Sequence, residues 1–250
     1  MSTDRAGHPL LPELDGGLPV GVWPRGAPRV LSVDNHVLAL VKPFNMPVME
    51  DASADPDLLE WGRAWVKEVY HKPGRAWLGL LHRLDRPAAG VVLLARTSKA
   101  AARLSGQFRR HTVRKVYRVK VEGRLALPEG VLVHHLLKDP ARNAVAVVDA
   151  GSAGALEARL RYRLVDHGRD AEGRACSEVE IRLETGRPHQ IRVQMASLGH
   201  PVLGDLRYGA ARPLPAGHLA LFCCEMEVGH PVGGRRQLFR APLPERWESL

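Results

Sequence analysis

Cysteines, acidic residues and long apolar runs are all scarce in this 250-residue chain. The three cysteines, Cys176, Cys223 and Cys224, form no CxxC pair, so neither a zinc site nor a disulfide framework is expected. Reduced thiols are expected instead, as in a cytoplasmic protein. No apolar run approaches the roughly 20 residues that a membrane-spanning helix needs. The sequence therefore predicts a cytoplasmic protein that does not act at a membrane.

The excess of basic over acidic residues is the main feature of the composition. Lys and Arg number 36 against 27 Asp and Glu, which gives a formal net charge of +9. Most of the positive charge is Arg, whose planar guanidinium binds phosphates bidentately and stacks on bases. Such a balance indicates a polyanionic partner, with an Arg-rich genome composition as the alternative. A hydrophobic content of 45% suffices for one domain or two closely joined halves.

The order of predicted elements indicates an α+β fold with a largely antiparallel sheet. Residues 1–28 are rich in Gly, Pro and charge and predict a flexible N-terminal arm, so the folded domain is expected over 29–250. Helices are predicted over 57–70, from a cap at Ser98 to about Arg110, and over 188–198 with Pro188 in the first turn. Strands are predicted over 30–33, 37–41, 90–96, 113–121, 131–136 and 144–148, over 156–165 paired with 176–184, and finally over 219–228.

A carboxylate lies at the start of a predicted buried strand. The segment His82-Arg83-Leu84-Asp85 is followed closely by the apolar run 90–95. A loop that enters such a strand gives Asp85 a rigid base, and rigid elements position reacting atoms well. Taken alone, an Asp at this point is ordinarily a turn or capping residue.

Three ordered motifs raise the significance of Asp85. The first is HRLD at 82–85, and the second runs over 114–123 and contains Lys115 and Tyr117. The third, TGRPHQIR at 185–192, continues as GHPVLGDLRYG at 199–209. Together, over about residues 30–242, they resemble the RluA family of RNA pseudouridine synthases. The resemblance implies that family's fold: a largely antiparallel mixed sheet in two half-domains, with helices packed around it and a central active-site cleft.

The resemblance also implies a reaction. The family isomerises specific uridines in tRNA or rRNA to pseudouridine: the N1–C1′ bond breaks, the uracil turns and C5 bonds to C1′. No cofactor and no metal is implied. Asp85 matches the catalytic aspartate, and a carboxylate nucleophile splits one hard exchange into two easier steps. Attack on C6 of the ring and attack on C1′ of the sugar both stay open.

Two further residues match catalytic positions of the family. Arg192 matches the ion-pair partner of the aspartate, and an opposite charge favours an ionised carboxylate. Tyr117 matches a ring that stacks on uracil and whose phenol helps remove the C5 proton. The alternatives are a solvated helix residue for Arg192 and a half-buried strand residue for Tyr117.

The remaining site residues are expected to contact the substrate. Arg83 is expected to fill the space of a flipped-out uridine, since a base inside folded RNA is otherwise unreachable. His82 is expected to hold the RNA or the loop itself. Leu221 aligns with an apolar residue that packs on the uracil. Arg187 and Lys115 are expected to bind substrate, and the basic run 109–115 contacts phosphates or is a solvated helix end. Asp205, Tyr208 and the glycines at 199, 204 and 209 are interpreted as backbone-shaping.

Two segments depart from the family pattern. Pro87-Ala88-Ala89 replaces small polar residues, which removes hydroxyls that would bond within the loop, although Pro87 restrains the loop by fixing φ. The segment Lys42-Pro43-Phe44-Asn45 lacks a glycine that many relatives carry.

Two other functions compete with the enzyme. A catalytically inactive RNA-binding or RNA-chaperone protein of the same fold has no need of Asp85, Tyr117 and Arg192 together. A glycoside hydrolase normally needs two acidic residues at the bond, whereas these motifs supply one. The predicted partner is RNA, bound by a monomer with no obligate protein partner.

Overall fold

The computed structural model describes residues 26–245, 247, 248 and 250. The predicted arm lies outside these residues except for 26–28, and the domain boundary at 29 stays a prediction. The described residues form eleven strands, three α-helices and two short 3₁₀ segments. The helices are α1 (Leu58–Val69), α2 (Ser98–Arg109) and α3 (Gln190–Ser197). The strands are β1 (Arg29–Val33), β2 (Val37–Lys42), β3 (Gly79–Leu80), β4 (Ala89–Ala95), β5 (Arg114–Glu122), β6 (Glu129–Asp139), β7 (Ala144–Val148), β8 (Leu156–Arg169), β9 (Ala175–Leu183), β10 (Leu221–Gly229) and β11 (Arg236–Arg240).

The chain folds into two compact units and crosses between them three times. The first unit extends to Val113 and includes Glu227–Ala241; the second comprises Arg114–Met226 and Pro242–Leu250. All the strand pairs with a defined register are antiparallel among the residues that the structure covers. The predicted α+β class with largely antiparallel pairing is therefore confirmed.

The first unit is built on two completely buried strands. β2 pairs antiparallel with β1 and with β4, and every residue of β2 and of β4 is buried. The turn between β1 and β2 closes on Asp34, whose side chain accepts from the N–H groups of His36 and Val37 at 2.6 and 2.8 Å. An unbroken apolar run, flanked by turn residues, is what a strand covered on both faces requires.

Both helices of the first unit begin at a side-chain cap. Asp57 accepts from the Glu60 N–H at 2.8 Å, and α1 buries Trp61 and Trp65. For α2 the predicted cap, Ser98, is wrong: Thr97 accepts from the Ala100 N–H at 3.1 Å. The cap must lie in extended backbone, and Thr97 does, whereas Ser98 is already the first helical residue.

The second unit is a long antiparallel sheet with one helix. Its strand order is β10-β5-β9-β8-β6-β7. The predicted pairing of 156–165 with 176–184 is confirmed as β8 against β9, with a register shift between Leu164 and Asp166. Leu136, Val145, Ala158 and Val193 form a core under α3.

Two predictions about the elements are corrected, and one strand was missed. Pro188 lies outside α3, because His189 has a φ of 51° and a left-handed residue interrupts an α-helix. β10 is not the final strand, since β11 follows it and pairs with it. β3 was missed because a strand of two residues is too short to show an alternation of apolar and polar side chains. No helix among the described residues is long and apolar enough to cross a bilayer.

Candidate functional site

The loop that carries Asp85 lies in the first unit, between β3 and β4, and His82 anchors it. The Leu93 N–H donates to His82 Nε2 at 3.0 Å. The imidazole also stacks on Phe108 of α2, with ring centroids 4.9 Å apart and an interplanar angle of 20°. An accepting nitrogen carries no proton, so this geometry fixes the tautomer with its proton on Nδ1. These contacts support the loop-holding role predicted for His82, and contact with RNA stays a prediction.

A buried lysine lies beneath the same loop. Lys42, the last residue of β2, is completely buried, and its ammonium donates to the carbonyl oxygens of Met46, Pro43 and Arg86 at 2.8, 3.0 and 3.0 Å. Three acceptors use all three donors of an ammonium group. Because the Arg86 carbonyl belongs to the residue after Asp85, Lys42 ties the loop that carries Asp85 to the turn after β2.

The charge of Asp85 also acts on Lys42. Burial lowers the pKa of Lys42 to about 7, and the Asp85 carboxylate opposes that shift. The charge of Asp85 therefore helps Lys42 to keep its proton. Sequence reasoning did not assign Lys42 a role, although a lysine at the end of an otherwise apolar strand is a usable signal.

Both departures from the family pattern have a structural explanation. Asn45, in the segment that lacks this glycine, adopts a φ of 61°. Asn tolerates this left-handed conformation better than most residues. Ala88 and Ala89 are buried, and the Ala88 N–H donates to the Asp85 carbonyl at 3.0 Å. The backbone bond from Ala88 to Asp85 and the bond from the Lys42 ammonium to the Arg86 carbonyl thus hold the loop where hydroxyls are missing.

The three charged residues of the loop differ in exposure. Arg83 is exposed and Asp85 is half-buried. The Arg86 side chain reaches an acidic turn, where it bonds to Ser53 Oγ at 2.8 Å and to the carboxylate of Asp55. Arg83 is therefore the loop arginine that is presented to solvent, as its predicted role in base flipping requires.

In the second unit, β5 presents Lys115 and Tyr117 on one face. Because these two residues are two positions apart on a strand, their side chains point to the same side of the sheet. Tyr117 is buried, and burial lowers the pKa of Lys115. Leu221 begins β10, beside β5, and is also buried.

Arg192 forms a bidentate ion pair in the second unit. Its Nε and Nη2 donate to the two carboxylate oxygens of Asp205 at 2.6 and 2.9 Å, and the side chains of both residues are more than 90% buried. Asp205, interpreted from sequence only as backbone-shaping, therefore has a side-chain role as well. The predicted pair of Arg192 with Asp85 joins residues of different units and stays a prediction.

Tyr208 supports the guanidinium of Arg192 from the ring side. The Arg192 Cζ lies 5.0 Å from the ring centroid, within the range of a cation–π contact. The Tyr208 hydroxyl accepts from the Val145 N–H at 2.9 Å and lies 2.7 Å from His189 Nδ1. Burial raises the pKa of Tyr208, so the hydroxyl keeps its proton. Arg192 is thus fixed by a carboxylate and by an anchored ring.

The turn before α3 is held by a buried amide. The Gln190 carbonyl oxygen accepts from Thr185 Oγ1 at 2.8 Å and from the Arg187 N–H at 3.0 Å. Its NH₂ group donates to the Arg159 carbonyl at 3.1 Å. The Nε of Arg187 donates to the Glu157 carbonyl at 2.8 Å, which leaves guanidinium donors for a substrate.

The predicted site residues are thus divided between the units. His82, Arg83 and Asp85 share one loop of the first unit, and the second unit holds Lys115, Tyr117, Arg187, Arg192 and Leu221. In the part of the chain that the structure describes, no three His, Cys, Asp or Glu residues are grouped as metal ligands. The prediction of a reaction without cofactor or metal stays a prediction.

Comparisons with known proteins agree on one class. A family model described as RNA pseudouridylate synthase matches residues 36–197. A ribosomal large subunit pseudouridine synthase D from Xanthomonas campestris is 34% identical over 239 residues, which cover 89% of this chain and 68% of that protein. The synthase D from Zymomonas mobilis is 30% identical over 238 residues, covering 89% of this chain and 71% of its own.

The fold agrees with the sequence matches. Human RNA Pseudouridylate Synthase Domain Containing 4 superimposes with a TM-score of 0.71 at 21% identity, covering 88% of this chain and 90% of that chain. Fold and motifs together define an RNA-modifying isomerase of the pseudouridine synthase class. The chain belongs to the RluA family of RNA pseudouridine synthases.

Proposed function

We propose that this pseudouridine synthase modifies one or more uridines of large-subunit ribosomal RNA, with Asp85 as its catalytic carboxylate. The proposal for the RNA rests on the relatives named above, whose names assign them to the large ribosomal subunit. A transfer RNA is the second candidate, since the family resemblance covers both. The same observation supports our proposal that the protein acts in the cytoplasm, where ribosomal RNA is found.

The observation that carries the role of Asp85 is its support within the first unit. Asp85 is half-buried and lies on a loop that His82 and Lys42 both anchor, so its carboxylate is held in position. A nucleophilic carboxylate must be held in this way to attack. In the proposed reaction Asp85 attacks C6 or C1′, the N1–C1′ bond breaks, and C5 then bonds to C1′.

The second unit supplies the other proposed groups. Arg192 pairs with Asp85 in the complex with RNA, and Tyr117 stacks on the uracil and assists loss of the C5 proton, while N1 gains one. Leu221 packs on the base, and Lys115 and Arg187 bind the flanking backbone. Arg83 occupies the space that the flipped base leaves. No cofactor takes part, because the carboxylate provides the nucleophile and the uracil is itself the leaving group.

We also propose that the enzyme acts as a monomer, without an obligate protein partner and without attachment to a membrane. The support is that one chain carries all three motifs. Size-exclusion chromatography with light scattering tests it, and a dimer at micromolar concentration would contradict it.

The activity is tested by tritium release. Purified protein is incubated with 5-tritiated uridine transcripts of large-subunit rRNA and of tRNA, and tritium released from C5 is counted. We expect release from rRNA, and a loss of at least about 10³-fold for Asp85→Asn, because the amide is not a nucleophile. Asp139→Asn, an exposed carboxylate on β6, is the matched control. No release from either RNA, or full turnover by Asp85→Asn, would refute the proposal.

A further inference from the structure

The basic residues of the first unit are segregated from its acidic ones. No Asp or Glu occurs between Arg86 and Lys120 or between Val228 and Pro244, although both stretches are rich in arginine. Of these stretches, 86–113 and 228–241 belong to the first unit, where the first contributes α2 and the second the hairpin after β10. Because both stretches carry basic but no acidic residues, their positions in the fold decide whether they form one basic surface.

Hydrogen bonds join α2 to this hairpin. Gln107 and Gly229 exchange two bonds, with the side-chain amide donating to the Gly229 carbonyl at 2.6 Å and the Gly229 N–H donating back at 2.8 Å. Arg103 donates to the Pro231 carbonyl at 2.7 Å, and Arg236 donates to the Thr112 carbonyl at 3.2 Å. The two acid-free stretches therefore form one surface, and its backbone is fixed before any partner binds.

Exposed arginines remain on this surface after its internal contacts are made. Two nearby carboxylates are already engaged: Glu227 pairs with Arg236 at 3.0 Å, and Asp34 with His230 at 3.1 Å. Arg109, Arg110 and Arg235 are exposed and have no acidic partner among the described residues. We call the surface formed by Arg103, Arg109, Arg110, Arg235 and Arg236 the basic face.

The basic face adjoins the loop of the proposed catalytic residue. Phe108, the residue before Arg109, stacks on His82, which lies three positions before Asp85. Within the first unit, α2 is thus linked directly to the HRLD loop. The C-terminal end of α2 is therefore close to the loop that carries Asp85.

We propose that the basic face is a docking surface for the phosphodiester backbone of the substrate RNA, flanking the target uridine. This inference rests on the proposed function, because it takes the RNA substrate as given. Guanidinium groups on a fixed backbone suit phosphate oxygens, and such contacts position the nucleic acid without reading its bases. The surface is expected to contribute affinity and to leave the chemical step at Asp85 unchanged.

The test is the salt dependence of RNA binding and turnover. The variant Arg109→Gln/Arg110→Gln/Arg235→Gln removes three exposed charges and keeps Arg103 and Arg236, which bond to the backbone. The matched control is Lys67→Gln/Lys72→Gln/Lys138→Gln, three exposed lysines outside the two acid-free stretches, on α1, in the turn after α1 and on β6. Binding of a fluorescein-labelled large-subunit rRNA hairpin is measured by anisotropy from 50 to 300 mM KCl, with tritium release on the same RNA.

For the basic-face variant, we expect the slope of log K against log salt to become shallower by about 2, since each phosphate contact contributes about 0.7 to 0.9. KM should rise at least about tenfold at 150 mM KCl, with kcat within about twofold of the wild type. An unchanged slope, or an equal change in the control variant, would overturn the inference. Failure of the proposed function looks different: the wild type then releases no tritium, and the anisotropy slopes still decide whether the basic face binds RNA.

Discussion

At the scale of single residues, Lys42 links stability to the catalytic loop. A completely buried ammonium that bonds only to carbonyl oxygens retains its hydrogen bonds but loses its hydration. The fold tolerates this because the three carbonyls belong to the two turns that the lysine must join. Its position beneath Asp85 makes the protonation of Lys42 relevant to both folding and function.

The pKa of Lys42 predicts how stability varies with pH. The pKa falls from 10.5 for the ordinary side chain to about 7 in the folded protein. Between these values the unfolded chain binds a proton that the folded protein lacks, so the free energy of unfolding rises with pH by about 1.4 kcal/mol per unit. Below about pH 7 both states are protonated, and this contribution becomes constant.

Urea unfolding of the wild type and of Lys42→Met between pH 6 and 9.5 measures this linkage. Their difference isolates the lysine, because all other titrating groups are common to both proteins. We expect the wild type to gain on the variant as pH rises above 7. Parallel pH profiles for the two proteins would show that Lys42 keeps its ordinary pKa.

The ion pair of Arg192 with Asp205 predicts a large effect from a small change. Asp205→Asn keeps the size of the side chain but removes a buried charge that faces a buried guanidinium. Breaking such a pair costs about 3 to 5 kcal/mol, because the remaining charge loses its compensation. Urea denaturation measures the loss of unfolding free energy.

A matched control for Asp205→Asn is Glu60→Gln. Glu60 pairs with Arg63 at 3.1 Å and with Arg75 at 2.7 Å, in contacts that are largely exposed. Its loss is expected to cost at most about 1 kcal/mol. Equal effects of the two substitutions would mean that burial does not set the strength of the Asp205 pair.

The sequence predicted the residues that belong to a family motif. It missed residues whose roles depend on contacts that only the folded structure shows. Asp85, Tyr117 and Arg192 were chosen because their neighbours match the family pattern. The side-chain role of Asp205 was missed because its partner lies 13 positions away, on a helix whose start depends on the left-handed His189. For Lys42 the sequence offers one signal, a lysine at the end of an apolar strand, but its three partners are backbone carbonyls that cannot be identified from sequence.

At the scale of elements, periodicity predicted most of the helices and strands. β8 and β9 were correct as a pair because alternation of apolar and polar residues specifies both the strand and its buried face. Errors occurred at ends, where one backbone dihedral decides. His189 excludes Pro188 from α3, and the extended Thr97 excludes Ser98 from the cap of α2.

The cap of α2 gives a prediction at this scale. Thr97→Ala removes the acceptor for the Ala100 N–H and is expected to cost about 1 kcal/mol of unfolding free energy. Ser98→Ala, at the first helical position, is the control and should change it by less than about 0.5 kcal/mol. Thermal and urea unfolding compare the two; a larger effect at Ser98 would restore the assignment made from sequence.

At the scale of the whole molecule, composition predicted the class of partner but not where it binds. A net charge of +9 indicates a polyanion wherever the charges lie. The basic face depends on residues 86–113 packing beside 228–241, and no local pattern connects segments so far apart. The resemblance to the family predicted the whole fold, whereas the periodicity of the sequence predicted only the α+β class.

The return of the chain to the first unit has a consequence for protein synthesis. Arg103 and Gln107 of α2 find their carbonyl partners at Pro231 and Gly229, more than 120 residues later. During translation, α2 must wait for these partners until the second unit's strands have emerged from the ribosome. A product truncated before Glu227 therefore lacks both carbonyl partners and β11, so it cannot complete the first unit.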